Sequence, residues 1–159
     1  MSNPLILTDE LTGADAIQIP ALPRPTLKEL RSKYAWIRKK GQIEADTSPI
    51  EAVTLRLGTV LCPNEEWIHG RQYEYRRASV TGRFGYQQLA WLVRRQDKYP
   101  AFKALLDMIS IDGTGITVVH HDGRRAFPYL TKARTRWCLR WIWVGEILDR
   151  SNRLALSDR

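Results

Sequence analysis

The sequence is short of most residues that catalysis and cofactor binding rely on. It has two cysteines and three histidines in 159 residues. Cys62 and Cys138 are too few for a disulfide framework and lack metal-ligand spacing. Both lie in apolar runs, where a free thiol behaves as a small buried hydrophobe, and this usage suits a reducing compartment. No GxxxxGK, GxGxxG, CxxC, HExxH or GxSxG motif is present, and the glycines at 113–115 read as a turn. No apolar run approaches the roughly 20 residues that a spanning helix needs, so no membrane partner is expected. Asp9 and Glu10 stand where a signal peptide would carry positive charge, so secretion is not expected and a cytoplasmic location is. The chain shows no internal repeat and no low-complexity tract.

Acid is the other scarcity. There are 17 Asp and Glu against 25 Lys and Arg, a formal charge of +8. Residues 1–25 contain one arginine and three acids, so the remainder carries 24 − 14 = +10. Within 71–140 there are 14 basic and 5 acidic residues, or +9. A field of that sign attracts phosphate backbones and speeds encounter with them.

A chain of this length suits one domain and can bury roughly 70% of its unfolded surface. Residues 1–25 stand apart as an extended, Pro-rich N-terminal arm, since Pro20, Pro23 and Pro25 forbid continuous helix. Leu5, Ile6, Leu7, Ile17, Ile19 and Leu22 are too apolar for a solvated tail. The arm therefore wraps its own domain or docks on a protein partner. Residues 26–159 are expected to form a single basic α+β domain.

Within it, Thr26 as cap, Glu29 in the first turn and Lys39, Lys40 and Gly41 at the end predict a helix over 27–40. Residues 41–49 read as polar connection. Alternation predicts strands at 51–61 and 71–80, the second with Tyr73 and Tyr75 opposite Glu74 and Arg76. Residues 84–96 and 101–108 read as helices separated by Pro100. Further strands are expected at 109–111, 116–121, 124–130 and 154–156, with Asp122-Gly123 as a hairpin turn. Pro128 places its strand at an edge or beside an irregularity.

The stretch 134–144 is densest in alternating cations and aromatics. As a strand it puts Trp137, Leu139, Trp141 and Trp143 on one face, and Arg136, Cys138, Arg140, Ile142 and Val144 on the other. Trp137, Trp141, Val144 and Leu148 also fit helical spacing, but the Trp, Ile and Val content and Gly145 favour strand. The expected architecture is an α+β domain whose C-terminal half forms an antiparallel β-meander packed on two or three helices, the Trp face lying on the helices between Tyr86 and Leu106.

Chemistry offers less. His120 and His121 alternate on a strand and cannot easily share a metal, so no metal site or cofactor is expected. His69 could act as acid or base beside a carboxylate, but nothing gathers such a pair around a substrate. The carboxylates Glu65, Glu66, Glu74, Asp107 and Asp112 match no two-metal spacing.

Binding is better supported. Four basic clusters are candidate phosphate contacts: Arg76, Arg77 and Arg83; Arg94, Arg95 and Lys98; Arg124 and Arg125; and Lys132, Arg134, Arg136 and Arg140. Arginine suits bidentate phosphate contact and stacking. Tyr73, Tyr75, Phe127, Tyr129, Trp137 and Trp141 stand beside them, although tryptophans in β-rich segments mostly fill the core. The composition points to a non-catalytic nucleic-acid-binding protein (DNA or RNA), an accessory subunit of a nucleoprotein complex. A protein–protein adaptor docking through residues 1–25 and a small nuclease are the alternatives.

Overall fold

The computed structural model describes residues 5–158. Two short strands, β1 (Ile6–Leu7) and β2 (Gln18–Ile19), lie in residues 5–25, both antiparallel to β4. Ile17 and Ile19 are fully buried and Leu22 donates its N–H to the Ile50 carbonyl, so this stretch wraps the domain.

Helix α1 (Leu27–Lys33) starts as expected, with the Thr26 hydroxyl accepting the Glu29 N–H at 3.1 Å. It does not run on to Lys40. Tyr34 is extended, with φ −125°, and a separate turn, α2 (Ala35–Arg38), follows. The break lets the Tyr34 ring reach Tyr86 and Trp141, edge-on to both. Strand β3 (Gln42–Asp46) replaces the expected polar connection, and β4 (Val53–Thr59) and β5 (Trp67–Ile68) follow.

The expected strand at 71–80 is instead a helix, α3 (Gly70–Arg77). Its buried positions, Tyr73, Arg77 and then Val80, follow helical rather than alternating spacing, while Tyr75 is 75% exposed. Gly70 is required at its start: a Cβ there would lie 1.6 Å from the Val144 carbonyl oxygen. Helices α4 (Tyr86–Arg95) and α5 (Pro100–Ala104) come next. Strands β6 (Ser110–Asp112), β7 (Ile116–Val119), β8 (Arg125–Ala133), β9 (Arg136–Trp143), β10 (Leu148–Asp149) and β11 (Asn152–Asp158) complete the chain.

The result is a small mixed α+β domain built on one nine-stranded sheet, with β5 and β10 as a separate two-stranded ribbon. Strands β7, β8 and β9 pair antiparallel in succession, but they belong to a larger sheet that takes in β4 and β3 from the N-terminal half. β6 and β7 share one edge of β8, and β11 pairs parallel with β6. Pro128 lies inside the sheet, at the break between β6 and β7. It accepts the Gly113 N–H at 2.8 Å and has no N–H to return, so the ladder lapses there.

Side-chain alternation on β8 and β9 separates two cores. On one face Leu130, Trp137 and Leu139 pack against Leu89, Leu92, Phe102 and Leu105 of the α4–α5 region. The Trp137 and Phe102 rings stack at 5.3 Å, and the indole N–H donates to the Phe102 carbonyl at 2.9 Å. On the other face Phe127 and Ile142 meet Tyr73, Val80, Leu148 and Leu154. The sheet is therefore covered on both sides in this region, and few positions remain for ligand contact. Among the described residues no helix is long and apolar enough to cross a membrane.

Candidate nucleic-acid interface

The four basic clusters expected from the sequence have different fates. Arg77 is 2% exposed and leaves the candidate surface. Its guanidinium lies between the Tyr73 and Phe127 rings, at 4.8 and 4.7 Å from their centroids. Arg83 is half-buried and donates to the carbonyls of Val80 and Thr114 at 3.0 and 2.8 Å, so its fork is occupied inside the protein. Arg76 forms a bidentate pair with Glu65 at 2.6 and 2.9 Å and also reaches the Val60 carbonyl. That pair holds the Glu65 carboxyl down at about 2. These three arginines brace α3 and its surroundings.

Beneath Arg77 lies Asp112, wholly buried, accepting the Tyr73 hydroxyl at 2.7 Å. Burial pushes its carboxyl up to about 6, against the pull of the Tyr73 hydrogen bond and of the Arg77 charge. Burial likewise lowers the Arg77 and Arg83 guanidinium pKa values. Nothing in the local sequence marks this group, since an inward arginine breaks the apolar stripe that would have announced a helix.

Arg125 is shared between Glu44 and Glu74, at 3.4 and 2.7 Å. Arg124 pairs with Asp122 and covers the Trp143 ring at 4.2 Å. Both sit at the β7–β8 turn. Arg140 lies mid-strand opposite Tyr129, with the Cys138 sulfur at 3.4 Å as its one hydrogen-bond partner among the described residues.

The remaining predicted residues come together. The C-terminus of α4 is fastened to the start of β9 by Gln96, whose amide accepts the Trp137 N–H at 2.8 Å and donates to its carbonyl at 3.1 Å. Asp97 alongside receives Arg136 at 3.0 Å and Lys103 at 2.6 Å. Asp107 receives Lys132. This fastening brings Lys103, Lys132, Arg134 and Arg136 to the end of the molecule where the α4 C-terminus carries Arg94, Arg95 and Lys98, with Asp97 and Asp107 as the ion-pair partners of this group among the described residues. Arg94, Lys98 and Arg134 are exposed and have no ion-pair partner among the described residues. Arg95 lies over the Trp91 ring at 5.7 Å. Lys103, Lys132 and Arg134 line a shallow basin between α5 and the β8–β9 turn. Lys103 was not singled out by the sequence; its signal is its place six residues after Asp97, one short helix away.

Arg134 is unusual in its backbone as well. It occupies the two-residue turn between β8 and β9 with φ +59°, a left-handed conformation that glycine adopts freely and arginine at a cost of about 1 kcal/mol. The turn thus projects a cation from a position where the fold alone would favour glycine.

The tryptophans also divide. Trp137 is core, whereas Trp141 and Trp143 are half-buried and join Trp36 and Tyr34 in an edge-to-face cluster. His120 and His121 lie past the end of β7, so strand alternation does not separate them and their rings stand 4.1 Å apart. Among the described residues no three His, Cys, Asp or Glu side chains gather as a metal site. His69 packs its ring edge-on to Trp67. Comparison of the chain with family models, curated proteins and solved structures finds no match.

Proposed function

We propose that this protein binds nucleic acid through the basic end formed by the α4–α5 junction and the β8–β9 turn. The observation that carries the reading is the docking of the α4 C-terminus onto the start of β9 through Gln96 and Asp97, which brings the segment carrying Arg94 and Lys98 to the strand that follows the Arg134 turn. All three cations are exposed and without an ion-pair partner among the described residues, and Arg134 occupies a glycine-type conformation. Non-glycine residues held at positive φ cluster at ligand-contacting sites. The paired cations Lys103, Lys132 and Arg136 add to the field, and phosphates can compete for them because their acids are surface-exposed. Contact is with the phosphate backbone; the antiparallel run β7–β8–β9 serves as its scaffold.

The reading includes an accessory role in a nucleoprotein complex, with residues 1–25 meeting a protein partner. Ile6 and Leu7, 42% and 44% exposed, are the apolar part of the described arm still open to one. The test is equilibrium binding to single- and double-stranded DNA and RNA oligonucleotides across a salt series. Binding that weakens linearly with log salt is expected, and no binding to any of them at low salt would refute the proposal.

A further inference from the structure

The sheet has exposed edges, and they are not equally protected. β1 and β2 are two residues each. β3 carries a bulge at Glu44 and pairs only with β7. Shortness and bulges both blunt an edge against further pairing. β9 has neither device. It spans eight residues, pairs among the described residues with β8 alone, and has no proline and no register shift.

Hydrogen bonding shows where the edge is open. Trp137 turns its N–H and carbonyl away from β8, and the Gln96 amide meets both, standing in for a neighbouring strand. By alternation Leu139, Trp141 and Trp143 face outward in the same way. Beyond the Trp143 carbonyl, which accepts the Glu146 N–H, these outward groups find no partner among the described residues. Gln96 therefore closes one end of the edge, and the stretch from Leu139 to Trp143 remains available.

We infer that this edge of β9 accepts an extended acidic segment of a partner protein as an added antiparallel strand. Strand addition draws its affinity from the backbone groups and its specificity from alternate side chains. On one face the incoming residues would meet the half-buried Trp36, Trp141 and Trp143 rings, which favours apolar side chains there. On the other face the residue opposite Arg140 would meet an exposed guanidinium that has no ion-pair partner among the described residues, which favours Asp or Glu. The pattern recognised is apolar–acidic–apolar. A second copy of the chain is a poor occupant, because each carries +8.

The test uses the full-length protein and three probes: an acetylated alternating Val–Glu peptide, an acetylated alternating Val–Lys peptide, and a poly-dT oligonucleotide. Amide resonances and hydrogen exchange are followed by NMR. The Val–Glu peptide should shift and protect the Leu139, Trp141 and Trp143 amides, with the Val–Lys peptide binding more weakly. Arg140→Glu should lower the Val–Glu affinity about fivefold or more and reverse the preference, as expected for a directly opposed cross-strand charge pair. This variant leaves the basic end intact, so its oligonucleotide binding reports separately on the proposed function. The inference is overturned if no peptide protects those amides, if the oligonucleotide or a second copy of the chain protects them instead, or if Arg140→Glu leaves the preference unchanged.

Discussion

Two groups of arginines look alike in the sequence and are opposites in the structure. Arg76, Arg77 and Arg83 are spent on the fold: one is locked to Glu65, one lies between Tyr73 and Phe127, and one holds carbonyls of Val80 and Thr114. Arg94 and Arg134, with Lys98, stand out from the opposite sort of place, the ends of a helix and a hairpin. A guanidinium inside must find rings, carbonyls or a buried carboxylate, because leaving it uncompensated costs several kcal/mol. One at a hairpin tip needs no partner, since water solvates it. Clusters of positive charge thus say where cations are, and only the surrounding packing says what they are for.

The comparison is broken most severely at Arg77. Arg77→Met keeps much of the volume but leaves Asp112 buried without its neighbouring positive charge. The expected loss is about 3 kcal/mol or more at pH 8, read by denaturant unfolding, with oligonucleotide affinity of the remaining folded protein unchanged. Combining it with Asp112→Asn should recover part of that loss, a coupling that independent sites would not show.

The pH dependence follows from the same group. Asp112 titrates near 6 when folded and at an ordinary 3.8 when unfolded, so the folded state binds its proton more tightly. Its contribution to stability is fully present below the unfolded value and is lost as pH rises through the folded one. The linkage amounts to about 3 kcal/mol in full, of which about 2.4 kcal/mol falls between pH 4 and pH 7. Asp112→Asn should flatten that part of the stability profile; an unchanged profile would remove Asp112 as its source.

At the other group the signs reverse. Arg134→Gly should stabilise the protein by about 1 kcal/mol, by releasing the left-handed strain, while weakening nucleic-acid binding. Improved stability with unaltered binding would make Arg134 a turn residue only. The smallest effect is expected at Arg76→Ala. Its readout is the Glu65 carboxyl, which should rise from about 2 towards its ordinary range once the Arg76 hydrogen bonds are gone, visible by NMR titration.

Much of the fold was legible. The Thr26 cap, the helix before Pro100, the Asp122-Gly123 hairpin and the extended reading of 136–143 rest on local chemistry that tertiary contacts did not override. The misreadings have a common origin in long-range contact. Tyr34 breaks its helix to reach Tyr86 and Trp141, 52 and more residues away. Residues 70–77 are helical because Tyr73 and Arg77 share an inward face, and no propensity rule treats arginine as a core residue. The parallel pairing of β6 with β11 joins segments roughly forty residues apart and left no periodic trace. For the same reason the basic end could not be assembled beforehand, since it depends on Gln96 clasping Trp137 across 41 residues.

The most direct measurement of the central claim is the salt dependence of oligonucleotide binding for the wild type, Arg134→Gly with Lys98→Ala, and Arg76→Ala. The account predicts that log affinity falls linearly with log salt. The double substitution at the basic end should reduce the slope by about 0.7–0.9 for each phosphate contact removed, whereas Arg76→Ala should leave it unchanged. A slope that drops with Arg76→Ala but not with the basic-end variant, or the absence of binding altogether, would contradict it.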